Sequence, residues 1–450
     1  MNSSMGKTMF SWLKDLFPVC RSITGNGVRE TLAYIKNLVP DLQIFEVPSG
    51  TKVFDWTIPH EWNIADAFVS DQSGHRIIDF RQNNLHVVGY SEPIDKEMTF
   101  EELDQNLYSL PDRPDAIPYV TSYYKRHWGF CLTENQRNEL RKNPKAKFRV
   151  KIDSTIEPGY LTYGELVIPG QSTEEVFFST YVCHPSMANN ELSGPVVAVA
   201  LSRYITELSN RRYTYRIVFL PETIGAITYL SQNYRMMEKN TIAGFTLSCL
   251  GDERGYSYIA SRLGETLADR VAKHVLRQHD PNFKSYSFLE RGSDERQYCS
   301  PGIDLPVCGI CRSKYGTFPE YHTSLDNLNL VTAEGLAGSL QVLQECVHIL
   351  EHNRLFKHKI LCEPFLMKRG LSSFLTAQVG TESARFVVNV LNVMAYADGQ
   401  HDLLGMAEKI GVNMNELVPI VQKLLDFDLL GEVKSDFPVG QNPIPLNVER

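Results

Sequence analysis

Residues 179–194 read STYVCHPSMANNELSG, and this stretch decides the fold. A run of small and β-branched residues ends at His184-Pro, and a polar, turn-forming segment follows it. The apolar run PVVAVALS begins directly afterwards. The pattern predicts a buried strand, a loop and a helix. The loop would therefore carry an imidazole, carboxamides and a carboxylate beyond the end of a strand, with His184, Asn190 and Glu191 among them.

The same order of strand, loop and helix recurs between residues 160 and 358. The predicted strands are GELVIPG, EVFFSTYVC, YRIVFLP, AGFTLSCLG and LPVCGIC, and helical patterns follow most of them. This alternation predicts an α/β fold, a three-layer sandwich with helices on both faces of a mixed, mostly parallel sheet. Ligands of such sheets bind at the carboxyl ends of the strands.

The length of 450 residues exceeds the size at which a single core stops growing, so we expect several domains. Residues 1–45 together with 161–358 form the predicted main domain. Residues 46–160 contain short β-type runs separated by turns, which predicts a β-rich inserted domain. Residues 366–450 contain short amphipathic helices and a possible hairpin, DLLGEV, in the order of a winged helix.

Composition and charge exclude some classes of function. The formal net charge of −8 disfavours a polyanionic partner, because phosphate neutralisation dominates nucleic-acid binding. In the tail after Leu371, acidic side chains outnumber basic ones by two to one, so we expect protein contact or a homo-oligomer there rather than DNA binding. No apolar run approaches the ~20 residues of a membrane span.

The cysteines indicate a reducing compartment. Their number, nine, is odd, and they are spread singly along the chain, which predicts reduced thiols in the cytoplasm. The pair in CGIC, Cys308 and Cys311, has no second CxxC in the chain, and we interpret both residues as part of the core. The aromatic run YVTSYYKRHWGFCL in the insertion is strand-prone, and we interpret it as core rather than as a substrate platform.

Four polar clusters fall beside predicted strand ends of the main domain. They are His184, Glu222, the segment Arg291–Glu295, and Tyr321 with His322. Each has an ordinary structural explanation alone: a hydrogen-bonded imidazole, an acid at a helix start, a solvated loop. Because strand ends converge at one edge of a parallel sheet, the clusters together supply two histidines and several carboxylates, which are the ingredients of a zinc site.

These motifs carry a family resemblance. The order of His184, ANNELSG with its helix, Glu222 with Gly225, and YHTSLDNL resembles the zinc aminopeptidase family, which includes glutaminyl cyclase. DWTIPHEW, RGSDERQY and YHTSLDNL resemble in particular the bacterial aminopeptidase-like proteins linked with polysaccharide biosynthesis. Members of that group carry a small inserted domain and a C-terminal winged helix.

The resemblance implies roles for individual residues. His184 and His322 match metal-binding histidines, and Glu222 matches the general base. The family's carboxylate positions are occupied here by neutral side chains, those of Asn190, Thr223 and Ser248. Neutral ligands do not compensate the charge of two zinc ions, so we expect a single zinc.

The ligands expected for that zinc are His184, Glu191 and His322. Asp294 is an alternative third ligand, or a partner that fixes a histidine tautomer. Whether Asn190, Glu191 or Asp294 completes the site stays open from sequence.

The implied function is zinc-dependent hydrolysis of an amide bond in a peptide or in an N-acyl or aminoacyl small molecule, with a link to polysaccharide biosynthesis. Glu222 would transfer the proton, and Arg291, Tyr321 or Arg296 would stabilise the oxyanion. The replaced carboxylates keep an alternative open, a catalytically altered scaffold or regulatory protein that acts through its winged-helix tail. Acyl transfer of the glutaminyl cyclase kind is less favoured, because Thr223 stands at a ligand position of that enzyme.

Overall fold

The structure is a computed structural model that describes residues 2–371 and 382–433. The chain divides into two compact units. The first unit contains residues 1–264 and 283–341, and the second contains residues 265–282 and 342 onward. The boundaries of the three predicted domains stay predictions.

The helices of the described chain are short to medium in length. They are α1 (Asn2–Leu16), α2 (Asn26–Leu38), α3 (Phe100–Leu103), α4 (Glu134–Arg141), α5 (Ser193–Glu207), α6 (Ile224–Asn240), α7 (Leu267–His279), α8 (Glu295–Tyr298), α9 (Ala333–His352), α10 (Glu382–Tyr396), α11 (Leu403–Ile410) and α12 (Met414–Asp426). A five-residue π-helix, Ala188–Leu192, leads directly into α5. In the parts of the chain that the structure covers, no helix is both long enough and apolar enough to cross a membrane.

The strands fall into a large sheet and several small ones. They are β1 (Gln43–Pro48), β2 (Lys52–Val53), β3 (Trp56–Thr57), β4 (Glu61–Ser70), β5 (Arg76–Asp79), β6 (Ile94–Thr99), β7 (Leu107–Tyr108), β8 (Phe130–Cys131), β9 (Lys147–Glu157), β10 (Tyr160–Ile168), β11 (Glu175–Tyr181), β12 (Thr214–Leu220), β13 (Thr241–Leu247), β14 (Ser257–Ile259), β15 (Lys284–Tyr286), β16 (Val307–Cys311), β17 (Leu355–His358), β18 (Asp398–Asp402) and β19 (Leu430–Glu432).

The large sheet confirms the predicted mixed, mostly parallel arrangement. Its order is β1-β10-β12-β11-β13-β16-β14-β15. Strands β12, β11, β13 and β16 run parallel, whereas β1, β10 and β14 pair antiparallel with their neighbours towards the edges. Every residue of β11 and β13 is buried, as expected of central parallel strands that are covered on both faces.

Helices cover both faces of this sheet. A side chain at Gly164 in β10 would meet Leu32 of α2, whereas the hydroxyl of the preceding residue, Tyr163, donates a 3.0 Å hydrogen bond to Gln232 of α6. Successive strand residues point to opposite faces, so α2 and α6 lie on opposite sides. The predicted three-layer sandwich is confirmed.

The insertion forms an antiparallel sheet in the order β5-β4-β9-β6, with β2 and β3 as a separate hairpin. One local prediction is wrong: of the aromatic run, only Phe130–Cys131 is a strand. Outside that strand, the run has an isolated bridge from Thr121 to Gly89, 32 positions away in the chain. Its strand propensity is therefore overridden by tertiary pairing.

The second unit contains the winged helix, which is confirmed. Helices α10, α11 and α12 accompany a sheet in the order β18-β17-β19. The predicted hairpin DLLGEV supplies β19, and the residues that would form its second strand lie outside the described residues. Asp402 caps α11 by accepting from Gly405 N at 2.7 Å, and it pairs with Arg270 of α7.

Candidate active site

Strand register brings the first two predicted residues together. Tyr181 of β11 lies beside Leu220 of the parallel strand β12, and each strand ends there. His184 and Glu222 follow those ends, three and two residues later. His184 Nε2 lies 3.7 Å from Glu222 Oε2. The carboxyl edge of the sheet therefore pairs an imidazole with a carboxylate.

His322 reaches the same place from the loop between β16 and α9. Its ring centre lies 5.3 Å from that of His184, and the Tyr119 ring lies 5.1 Å from each of them. Tyr119 N donates to His322 O at 2.9 Å, which fixes the loop against the insertion. His322 has a φ of 54°, a left-handed conformation that is uncommon for a residue with a side chain and that this contact helps to hold.

A buried carboxylate and a buried arginine fix His184 from behind. His184 Nδ1 donates to Glu191 Oε2 at 2.8 Å, and Arg21 Nε donates to His184 O at 3.1 Å while lying 3.7 Å from Glu191 Oε1. The side chains of Arg21 and Glu191 are fully buried. Burial opposes protonation of His184, but the charge and hydrogen bond of Glu191 outweigh it and raise the pKa of His184. The arrangement leaves Nε2 facing Glu222.

The Glu222 carboxylate is held by the loop that precedes α8. Ser293 Oγ donates to Glu222 Oε1 at 2.9 Å, and Thr223 N donates to Asp294 Oδ1 at 2.7 Å. Glu222 N donates in turn to Cys183 Sγ at 3.2 Å. Thr223 has a φ of 63°, a strained conformation for a β-branched residue. Burial raises the pKa of Glu222, although His184 opposes the shift.

Asp326 positions the segment that contains Asn190 and Glu191. Its carboxylate accepts from Asn189 N at 2.6 Å and from Asn190 N at 2.8 Å, at the start of the π-helix. Burial raises the pKa of Asp326 to about 7. Asn190 Nδ2 donates to Tyr181 Oη, so the carboxamide at the family's bridging position is buried inside the cluster.

Two of the predicted oxyanion groups lie at the cluster and one lies away from it. The Tyr321 ring stacks on His322 with ring centres 3.9 Å apart. Arg296 donates to Thr223 Oγ1. The exposed Arg291 guanidinium lies over the Phe288 ring at 4.6 Å and donates to Phe288 O.

The sequence did not predict several residues of this cluster. Arg21 lies in RSITGNG, which appeared only as a helix entry, and Tyr119 lies in the run interpreted as core. Cys183, His184 and Glu191 each bring a potential ligand atom within 4.8 Å of the others. A charged residue inside an otherwise uncharged stretch was the available signal for Arg21.

Several buried polar atoms here have no hydrogen-bond partner among the described residues. They are His322 Nε2, Asn190 Oδ1, Glu191 Oε1 and Asp294 Oδ2. Imidazole nitrogens and carboxylate oxygens are the ligands that zinc prefers. Two imidazoles on one tetrahedral zinc place their ring centres roughly 5 Å apart. The donor set and the spacing of His184 and His322 therefore fit one zinc ion.

Comparison with known proteins identifies the family of the chain. A family model described as "Domain of unknown function (DUF4910)" matches residues 10–353, and a "winged helix-turn-helix" model matches residues 354–432. A "Putative polysaccharide biosynthesis protein with aminopeptidase-like domain" from Clostridium acetobutylicum is 42% identical over 95% of this chain and 97% of its own length.

Solved structures agree with the family models. The crystal structure of a "putative peptidase" from Clostridium acetobutylicum has a TM-score of 0.89 at 41% identity, covering 96% of this chain and 97% of that one. A zinc aminopeptidase from Bacillus subtilis has a TM-score of 0.55 at 13% identity, covering 76% of this chain and 94% of its own, and shares the fold alone. The predicted resemblance is confirmed, and the chain belongs to the DUF4910 family of aminopeptidase-like proteins with a C-terminal winged helix.

Proposed function

We propose that the chain is an amide hydrolase that uses one zinc ion, held by His184 and His322, beside Glu222. The observation that carries the proposal is the meeting of these side chains: His184 Nε2 faces Glu222 Oε2 at 3.7 Å, and the two imidazole rings lie 5.3 Å apart. Zinc in such a site supplies Lewis-acid polarisation and makes water more acidic.

Glu222 transfers the proton in this proposal. Ser293 occupies one oxygen of the carboxylate, and the other oxygen points towards His184. That oxygen takes the proton of the attacking water and returns it to the leaving nitrogen. Arg296, held next to Glu222 through Thr223, and the half-buried Tyr321 are placed to stabilise the oxyanion.

We infer that Glu191 orients His184 and does not bind the metal itself. One Glu191 oxygen accepts from Nδ1, and the other lies beside Arg21. A carboxylate bound to the far nitrogen of a ligand histidine fixes its tautomer. A third ligand is then available from Asp294 Oδ2 or Asn190 Oδ1, which have no partner among the described residues.

The proposed substrate is an amide attached to a small molecule. Replacement of the family's carboxylates by Asn190, Thr223 and Ser248 removes the second metal, which is the usual anchor of a free α-amine. An N-acyl or aminoacyl sugar precursor is therefore favoured over a peptide with a free amino terminus. The name of the Clostridium acetobutylicum relative supports a place in polysaccharide biosynthesis.

The proposal is tested on the purified chain with aminoacyl and N-acyl amides. Substituting Glu222→Gln should lower kcat about 10²–10⁴-fold and leave bound zinc unchanged. Glu238→Gln, on the exposed part of helix α6, which begins two residues after Glu222, is the matched control and should keep the wild-type rate.

Equal rates for wild type and Glu222→Gln would remove Glu222 from the mechanism. A chain that carries no zinc, gains none on addition and cleaves no amide would favour the alternative, an aminopeptidase-like scaffold or regulator that acts through its winged helix.

A further inference from the structure

A groove of about 400 Å³ runs along helix α6 in the first unit, and the mechanism above leaves it unassigned. One wall is the helix, with Ile227, Leu230 and Tyr234. The opposite wall is the β2–β3 hairpin, with Phe54 and Trp56. We call it the α6 groove.

The α6 groove begins close to the candidate active site. Ile227 N donates to Thr223 O at 2.9 Å, so the first groove residue lies one helical turn, about 6 Å, beyond Thr223, the residue that follows Glu222. Leu230 and Tyr234 continue the same stripe at helical spacing. Gln297, another lining residue, directly follows Arg296, which binds Thr223.

The hairpin wall holds two large aromatic rings in partly exposed positions. Phe54 is 56% exposed and Trp56 is 39% exposed, and their rings meet those of Tyr234 and Tyr124 edge-on. Phe54 stands in the two-residue turn with a φ of 54°, where glycine or asparagine is favoured. A bulky ring therefore occupies a position that local energetics assigns to a small residue, and its solvent-facing surface is available to a ligand.

Three polar side chains also line the groove. They are the Asp55 carboxylate, the Gln297 carboxamide and the Ser300 hydroxyl, and none of them bonds to another side chain or backbone group within residues 2–371 and 382–433. A purely apolar ring would bury these groups without partners, which is unfavourable. A sugar ring can contact both the aromatic and the polar side chains of the groove, because its C–H face packs on aromatic rings and its hydroxyls form hydrogen bonds with polar groups.

We propose that the α6 groove binds a pyranose ring of the substrate. The C–H face of the sugar lies against Phe54 and Trp56, and its hydroxyls bond with Asp55, Gln297 and Ser300. Tyr234, which meets Phe54, lies roughly 16 Å along α6 from Thr223, so this sugar is the part of the substrate remote from the amide that reaches Glu222. This assignment rests on the proposed hydrolase function for its place in the reaction, but sugar binding can be measured without turnover.

Binding is measured by ligand-observed NMR on the full-length Glu222→Gln chain. The probes are the methyl glycosides of N-acetylglucosamine, N-acetylgalactosamine and N-acetylmannosamine, with N-acetylphenylalanine amide as the aromatic comparator. We expect at least one glycoside to bind more tightly than the comparator. Trp56→Ala should weaken that glycoside about three- to tenfold. Tyr160→Ala, an aromatic residue of similar exposure that lines a different cavity, should leave it unchanged.

Phe54→Gly separates a binding role from a structural one. Glycine relaxes the left-handed turn, so the melting temperature should stay equal or rise while glycoside binding weakens. The assignment is overturned if no glycoside binds, if the phenylalanine amide binds more tightly, or if both groove variants bind as well as the parent chain. Glycoside binding without amide hydrolysis by the wild type would contradict the hydrolase proposal and support the sugar site. Amide hydrolysis without glycoside binding would support the hydrolase proposal and contradict the sugar site.

Discussion

Strand β11 has buried charge at both ends, and the two ends satisfy it differently. At its start, Arg216 donates to both Glu175 oxygens at 2.7 Å and also binds Glu165. Beyond its other end, His322 Nε2 and Asp294 Oδ2 have no hydrogen-bond partner within the described part of the chain. We call the start of β11 the closed end, because protein side chains pair its buried charges. We call the cluster beyond the other end of β11 the open end, because some of its buried polar atoms have no partner among the described residues.

This difference separates charge that serves the fold from charge that awaits a ligand. A bidentate arginine pair compensates the buried carboxylate at the start of the strand without help from outside. The cluster after the strand has polar atoms without partners among the described residues, and a cation, a substrate or water could complete them. Strained backbone at Thr223 and His322 occurs at this open end, where strain of this kind is typical of functional sites.

The largest expected effect on stability is at the closed end. Glu175→Ala removes both bonds of Arg216 to that carboxylate and should destabilise the chain by about 3–5 kcal/mol, because a buried cation loses its principal partner. Zinc stoichiometry of the folded protein should not change. Urea unfolding followed by circular dichroism measures the free energy of unfolding, and metal analysis measures the zinc stoichiometry. A free energy of unfolding within about 1 kcal/mol of wild type is what loss of an exposed ion pair would give, and it would show that this cluster does not stabilise the sheet.

Glu191→Gln tests whether the open end contains an orienting carboxylate. If Glu191 only fixes the His184 tautomer, zinc affinity should fall about 10–100-fold while one ion still binds per chain. Titration with a competing chelator gives the affinity. A loss of zinc as complete as that caused by removing a histidine would instead make Glu191 a ligand.

The smallest effect is expected in the second unit, at Asp402. Burial would raise the pKa of Asp402, but hydrogen bonds from Arg270, Asn353 and Gly405 N outweigh it and lower the pKa. A lowered folded pKa means that this stabilisation is present above the unfolded value of about 3.9 and is lost as pH falls through the folded value.

Asp402→Asn, which keeps a cap on α11, should therefore cost about 2 kcal/mol at pH 7, and the difference from wild type should shrink below pH 4. Hydrogen exchange of the amides in Leu403–Ile410, compared between variant and wild type at each pH, measures this difference in stability. A difference that stays constant from pH 7 to pH 3 would contradict the ion pair with Arg270.

The sequence predicted most of the fold and the core of the candidate site for a physical reason. Apolar runs and helical spacing reveal buried strands such as β11, and parallel strand ends must converge, which brought His184 and Glu222 together. Contacts set by side-chain direction were not visible. Arg296 lies in α8 and donates to Thr223, whereas Arg291 precedes that helix and its guanidinium lies over the Phe288 ring.

Contacts between residues that are distant in the chain could not be predicted from sequence patterns either. Arg21 meets His184 across 163 positions, and Tyr119 reaches both histidines from a segment without regular structure. Periodicity describes neighbours along one element, so it carries no information on such partners. The strand prediction for the aromatic run failed for the same reason.

The most direct test of the central claim is zinc binding by the full chain and by His322→Asn. Asparagine tolerates the left-handed backbone of His322, and the His322 Nε2 atom has no partner among the described residues, so the metal-free variant should be as stable as wild type within about 1 kcal/mol. Wild type should bind one zinc per chain, and the variant should bind at least about a hundredfold more weakly, a larger loss than that of an outer partner. Equal zinc affinity in the two proteins, or no zinc in either, would contradict the account.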